Sequence, residues 1–404
     1  MIFLLIPAAL LYSRLVDYFR RYQLLAFYSL VYGAILALFA FFLGHPTIGL
    51  YNTDTSPHRI FGWVFYFFLE GYSPFVVGVF WAFLNSVSSP DEAKNTYPAL
   101  VAGSKVGGIL TALFAWYLLS HANVLNGFGI INHDVVSHQL LMGIVSVMLL
   151  CVPIFLVILI RVVPGHYLHG YEAVYQLEKQ HQKDDKESST GMLSGIRLLL
   201  SSPYILGIFG LVFFYETLNV LLNFQRIGLL RDTATSMADF TAAMFLQRYW
   251  MHLYGLFLSL IGAQYLFKKL DVRKCLLVVP LTVTVLLIFF VLTYSAESIL
   301  YVFIGLGTIN YSLSYPLRES LYIPATKDMK FKAKAWIDTF GTKFSKGFGS
   351  LFANVTSKAS HAGWFGLAYI LFFGGIMTLW FITSWLLGKT YEKAIKENKI
   401  IGAK

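Results

Sequence analysis

An all-α polytopic membrane protein, built as two halves of one helix bundle, is the fold this sequence predicts, and three observations predict it. Of its 404 residues 57% are hydrophobic and 13% charged, against about 25% charged in soluble domains, and mean hydropathy is +0.64. Apolar runs of roughly 20 residues, each able to cross the hydrocarbon core, recur along the whole chain. Finally, Gly103-Ser104-Lys105 leading to Leu113-Phe114-Ala115 returns 238 residues later as Gly341-Thr342-Lys343 leading to Leu351-Phe352-Ala353. Each copy follows a short polar stretch with an Ala-Lys pair, Ala93-Lys94 and Ala333-Lys334, aligned with a two-residue gap. A repeat at this spacing predicts equivalent halves around a central site.

The runs place spans near 1–16, 24–44, 60–85, 100–119, 139–163, 203–224, 244–267, 275–293, 298–320, 336–356 and 364–387, about eleven transmembrane helices. The loops alternate in charge. One side carries Arg14, Arg20, Arg21, Lys94, Arg161, Lys179, Lys183, Lys186, Arg197, Lys268, Lys269, Arg273, Lys274, Lys327, Lys330, Lys332, Lys334 and the tail lysines. The other carries only Arg59, Arg226, Arg231, Arg248 and Lys358. The positive-inside rule makes the first side cytoplasmic, with the C-terminus inside and the N-terminus outside. The expected location is the cell (inner) membrane, multi-pass. The formal charge of +10 is then topological, and no nucleic-acid partner is expected; the partner surface is the lipid bilayer. Cys151 and Cys275 fall in or at the ends of spans, so no disulfide framework is implied. Met1 opens into Ile-Phe-Leu-Leu-Ile without a basic leader or a cleavage site, so a cleaved signal peptide is not expected.

An odd span count with an external N-terminus leads to the expectation that a first helix is missing. Restoring it puts the polar 164–202 segment, with His-Gln-Lys-Asp-Asp-Lys-Glu at 181–187, between helices six and seven of twelve. That is the arrangement of a major-facilitator-like two-half bundle. The halves are then 1–163 and 203–388, with 164–202 a cytoplasmic linker and 389–404 a basic cytoplasmic tail. Tyr12-Ser13-Arg14-Leu15-Val16-Asp17 before Arg20-Arg21 fits the Asp-plus-Arg motif that such proteins carry between helices two and three.

Ionisable side chains inside spans are costly and mark functional sites. Here they are Glu70, Lys105, Glu216, Lys343 and Lys346, with Arg318, Glu319 and Asp338 near span ends. Glu70 and Glu216 fall near mid-bilayer; a structural interhelical pair or a protonated carboxyl is the plainer explanation of each. Lys343 and Lys346 share a helix face at i,i+3. Glycines 341, 347 and 349 beside them permit close approach. With Lys105 from the equivalent helix they form an electropositive pocket suited to a phosphate chain, although long stems can also snorkel to the interface. The 36 Phe, 25 Tyr and 8 Trp offer stacking faces, but most such residues serve packing and lipid contact.

Gly388-Lys389-Thr390 lacks the upstream glycine of a phosphate-binding loop, because Thr383 stands there, so no ATP-hydrolysing motif is present. Nor is there a His-Glu-x-x-His, and no enzyme activity or resident cofactor is expected. His166, His169 and Glu172 have ligand-type side chains, but a solvated interfacial helix is the expected role.

Phe80-Trp81-Ala82-Phe83-Leu84-Asn85 followed by Glu92-Ala93-Lys94-Asn95-Thr96-Tyr97-Pro98 resembles a signature of the ATP/ADP translocase (TLC) family of obligate intracellular bacteria and plastids. Ala335-Trp336-Ile337-Asp338-Thr339-Phe340-Gly341 through Lys346-Gly347 resembles that family's penultimate-helix segment. Leu317-Arg318-Glu319-Ser320-Leu321-Tyr322-Ile323-Pro324 looks like the stretch before it. The resemblance implies a twelve-helix, major-facilitator-related exchanger that moves ATP against ADP, or other nucleotides, without hydrolysis. It also implies that the family's intramembrane glutamates and lysine fall on Glu70, Glu216 and Lys346, with no counterpart here of a lysine near the family's first helices. Two other readings stay open: a proton symporter of another solute with Glu70 or Glu216 as proton carrier, and a truncated, non-transporting paralogue.

Overall fold

The computed structural model describes all residues except 1, 20, 55, 57, 122–132, 164–193, 235–236, 294, 359–364 and 403–404. Helix α1 spans Ile2–Tyr18 and α2 Arg21–Leu43. Helix α3 runs Ile60–Tyr72, widens into a π turn over Ser73–Val77 and resumes over Gly78–Val87. Then come α4 (Pro90–Ser120), α5 (His133–Val162), the short α6 (Ser194–Ser201) and α7 (Pro203–Thr233). Helix α8 runs Met237–Phe257 and continues through a π turn at Leu258–Ala263 into Gln264–Lys269; α9 is Val272–Thr293. Helix α10 is Ala296–Ile309, a π turn at Asn310–Ser314, then Tyr315–Ser320. Helix α11 opens with a π turn at Met329–Ala333, passes through Lys334–Trp336 and a second π turn at Ile337–Gly341, and ends as Thr342–Lys358. Helix α12 is Phe365–Lys396.

Every expected span has a helix in its place. Seven of them, α2, α3, α4, α5, α7, α9 and α12, are by themselves long and apolar enough to cross a membrane. The others are shorter, more polar or interrupted. Among the described residues the only β contact is one bridge between Ala325 and Ile401, so this is an all-α polytopic membrane protein. Both cysteines are free thiols.

Two stretches expected as polar loops are helical. Helix α4 starts at Pro90 because Ser89 caps it: the Ser89 hydroxyl accepts from the Glu92 amide at 3.3 Å, and the Glu92 carboxylate accepts from the Ser89 amide at 2.8 Å. This reciprocal box satisfies two amides that a helix start leaves open. Ala93-Lys94 therefore lies in the first turns of α4, and Ala333-Lys334 lies inside α11. Lys330, Lys332 and Lys334, counted as loop lysines, are buried. Arg226 and Arg248, assigned to the opposite loops, are inside α7 and α8; α7 runs nine residues beyond the expected end of its span.

Proline accounts for two of the wide turns. Pro74 and Pro316 have no amide hydrogen, and their rings push away the carbonyl four residues back, which a π turn accommodates. For Pro74 that displaced carbonyl belongs to Glu70.

Packing repeats across the chain. Helix α2 lies along α5, and in the same way α9 lies along α12. Without a hydrophobic force between helices in lipid, such contacts depend on close fit and hydrogen bonds. Ser146 Oγ, for instance, donates to the Gly33 carbonyl at 2.7 Å, and Leu150 fills the space where a Cβ on residue 33 would stand. Helix α7 packs on α10, α11 and α12, and buries Ile205, Ile208, Leu218 and Leu222. The helices before the 164–193 segment and those after it form two groups along the sequence, which meet where α4 packs along α8 and α1 packs on α11. Beyond α12 the chain folds back: the Ile401 amide donates to the Pro324 carbonyl at 2.8 Å, and the Thr326 amide donates to Ile401 at 3.2 Å. The expected linker, 164–202, lies outside the described residues up to position 193.

Candidate functional site

A cavity of about 300 Å³ lies among α3, α7 and α11, at the lower end of ligand-sized pockets (roughly 300–1,000 Å³). Glu70, Glu216, Lys343 and Lys346 all line it, together with Asp338, Tyr66, Ser73 and Thr342. Four of the five candidate residues thus converge from three helices. Glu70 forms a salt bridge with Lys343 across the boundary between the groups of helices. Glu216 lies in electrostatic range of Lys346 and Arg318, and its Oε2 is buried without a hydrogen-bond partner. Five ionisable groups around one small cavity inside a membrane protein mark it as the candidate site.

Beside the cavity a buried polar chain ties the two groups of helices together. The Tyr97 hydroxyl donates to Asn85 Oδ1 at 2.5 Å, and Asn85 Nδ2 donates to Glu319 Oε2 at 3.1 Å. Lys334 Nζ then bridges Glu319 at 2.5 Å and Asp338 at 3.1 Å. Lys334 and Glu319 are 2% and 0% exposed. Aromatic rings wall the chain off: Trp81 packs between Tyr97 and Tyr315, and the Arg318 guanidinium lies 4.6 Å from the Tyr315 ring centre. Asp338 belongs to both places, touching Lys334 and lining the cavity. Gly78 makes the contact possible, because a Cβ there would stand 3.0 Å from Asp338 Oδ2.

Lys105 lies elsewhere. It is 4% exposed, with its ammonium 5.1 Å from the Tyr311 ring centre on α10 and its stem against Gly255 of α8. The sequence repeat nevertheless has a counterpart in space. Lys343 reaches Glu70, just before the π turn of α3, while Lys105 reaches Tyr311 within the π turn of α10.

Residues 60–391 match the model of the TLC ATP/ADP transporter family. The chain belongs to the TLC family. ADP,ATP carrier protein 3 of Rickettsia typhi is 24% identical, with 92% of this chain and 82% of that protein aligned; its Rickettsia prowazekii namesake is 23% identical over 91% and 81%. A chloroplastic ADP,ATP carrier protein 2 of Arabidopsis thaliana is 25% identical over 83% of this chain and 56% of its own length.

In this TLC protein the matched segment contains the whole cavity and the whole polar chain. Asn85 and Tyr97 come from one signature stretch and Glu319, Lys334 and Asp338 from around the other two, so the signatures that carry the resemblance meet in space. Sequence reasoning used those stretches to recognise the family and did not see that they touch. It also missed Arg226 as a buried cation and Arg248 as a partly buried one, because arginine near an apolar run reads as a loop residue. The His166, His169 and Glu172 set lies outside the described residues; among the described ones no cluster of three or more metal-type ligands occurs.

Proposed function

We propose that this TLC protein exchanges nucleotides, ATP against ADP or other tri- and diphosphates, across a membrane by alternating access. The observation that carries this reading is the Glu70–Lys343 salt bridge on the cavity wall. Around it stand four basic groups, Arg318, Lys334, Lys343 and Lys346, and four acidic ones, Glu70, Glu216, Glu319 and Asp338. With no ligand their charges balance. A phosphate chain entering the cavity takes over Lys343 and Lys346, and releases Glu70 and Glu216 from them. Removing the ligand restores the internal pairs, so an empty site is stable in its paired form, and differential stabilisation of the two states favours exchange over leak. Ser73, Thr342 and Tyr66 supply neutral hydrogen-bonding groups for ribose or base.

The repeated helix pairings, α2 with α5 and α9 with α12, support a major-facilitator-like pair of halves that rock against each other. In that frame the Asn85–Glu319–Lys334 chain lies toward the lysine-rich, cytoplasmic end, and its opening is the step that exposes the site inward. The test is uptake of radiolabelled ATP into intact bacterial cells expressing the full chain. Saturable uptake that external ADP competes away, with internal ADP released in return, is the expected result. Uptake that needs a pH gradient but no nucleotide on the far side would replace this reading with proton symport, which the unpartnered Glu216 Oε2 favours as its proton site. Well-inserted protein without any uptake of nucleotide would overturn exchange.

A further inference from the structure

Outside the cavity, the α4–α8–α10 junction holds cations without counter-ions. Arg226 is 1% exposed; its guanidinium lies 4.1 Å from the Phe303 ring centre and donates to Gln247 at 2.5 Å and to Asn223 at 2.7 Å. Arg248 flanks the same ring at 5.7 Å and is close enough to Lys105 and Arg226 for their charges to interact. His252 is in range of both Lys105 and Arg248, with its Nδ1 buried and unpartnered. Among the described residues no ion pair joins a carboxylate to Lys105, Arg226 or Arg248; Arg226 is held by two amides and a ring, Arg248 by the same ring and the Met251 sulfur at 3.5 Å, and Lys105 by a ring. Ser312 Oγ and Asn310 Oδ1, at the same junction, are also buried and unpartnered.

This arrangement is the opposite of its counterpart. Lys343 has Glu70 as an internal counter-ion; Lys105, at the equivalent place in the repeat, has an aromatic ring, Arg248 and the His252 imidazole. Uncompensated charge in a low-dielectric interior is costly, and an anion brought alongside removes that cost. Glycines bring the groups together. The Lys105 stem lies against Gly255 of α8 and the His252 ring against Gly108 of α4, where a Cβ would stand 3.2 Å from the Lys105 Cε and 2.7 Å from the His252 ring. Tyr215 and Glu216 link the two places: Glu216 lines the cavity, and Tyr215, its neighbour on α7, lies in range of Tyr311 and Arg248.

We propose that Lys105, Arg248 and His252, backed by Arg226, form a second anion subsite that takes phosphate groups of the transported nucleotide. The inference rests on the nucleotide-exchange reading for its ligand, but on the missing counter-ions for its location. The transporter thus has two unlike cationic places, one neutralised from within when empty and one that the ligand must neutralise. The second therefore discriminates by phosphate number.

The experiment is binding of ADP, AMP, adenosine and inorganic pyrophosphate to the purified full chain in lipid nanodiscs, with thermal unfolding of the ligand-free protein alongside. Lys105→Gln and Arg248→Gln are each expected to weaken ADP and pyrophosphate binding about tenfold or more, as loss of a charge-assisted contact does. Adenosine binding should hold, and Lys105→Arg should recover most of the ADP affinity. In the same samples Lys105→Gln should raise the ligand-free midpoint, since it removes an unpaired buried charge, whereas Lys343→Gln should lower it by stranding Glu70. Arg248→Gln serves alone if Lys105→Gln does not insert. Unchanged ADP affinity in both variants, or an equal loss for adenosine, overturns the subsite while nucleotide exchange stands. Pyrophosphate binding that depends on Lys105, in a protein that binds no nucleotide, supports the subsite and overturns nucleotide exchange. Wild-type protein that binds none of the probes overturns both.

Discussion

Glu319–Lys334 and Glu70–Lys343 are the same chemical pair in two environments. The first is sealed: both partners are at most 2% exposed, Asn85 and Asp338 fill the remaining hydrogen-bonding positions, and aromatic rings exclude water. The second faces a cavity, with Lys343 9% and Glu70 24% exposed, and it has room beside it for another anion. What separates a latch from a binding site here is therefore the surroundings of the pair rather than its residues. A sealed pair can only break when the helices move. An open pair can be exchanged for a ligand while they stay still.

The largest effect expected from that comparison is at the sealed pair. Glu319→Ala leaves Asn85 without its acceptor and Lys334 with Asp338 alone, and should cost about 3 kcal/mol of stability, the lower end of the cost of removing one partner of a buried pair. The loss would be read from thermal or denaturant unfolding in detergent; a change under about 1 kcal/mol would show that the chain is not sealed. At the open pair the principal change is in function. Lys346→Glu reverses the charge that would meet phosphate and should abolish ATP uptake in protein that still inserts and folds; normal uptake would remove Lys346 from the site.

A double-mutant cycle sharpens the comparison. Glu70→Gln and Lys343→Gln should each destabilise the ligand-free protein more than the two together, with a coupling of about 1–3 kcal/mol. Zero coupling would mean the salt bridge does not form in the membrane. Gly78→Ala probes the contact between the two regions, since its methyl would press on Asp338; a loss of about 1–3 kcal/mol is expected from overpacking, with reduced uptake. The smallest effect belongs to Lys94, which pairs with Asp91 at 3.0 Å but with 42% and 92% of those side chains exposed. Lys94→Ala should change stability by less than about 1 kcal/mol, as exposed ion pairs do. A larger loss would place the start of α4 inside a contact the structure does not have.

Much of this was legible in advance. Apolar runs located every helix except the short α6, because crossing hydrocarbon demands length and hydrophobicity that leave a mark in any sequence. Intramembrane charge singled out Glu70, Glu216, Lys343 and Lys346, and the structure gathers those four at one cavity. The ends were less legible. Ser89 and Glu92 cap α4 ten residues before its expected start, since capping is a polar signal inside what reads as a loop. Lys334 was counted with the interfacial lysines because nothing in the chain near it shows the partner, Glu319, across a turn, or Asn85 some 249 residues away.

The sequence by itself determined that this is a bundle of membrane-spanning helices of the TLC family, with charges in its interior. Those properties follow from composition, from the length of each apolar run and from short motifs, all of which are local. Only the tertiary structure decided which charges neutralise one another. That Lys343 has a carboxylate while Lys105, its repeat, faces a ring and an arginine depends on which helices stand opposite. In a low-dielectric interior it is the nearest few ångströms across a helix interface, rather than neighbours along the chain, that set whether a charge is paired, sealed or waiting for a ligand.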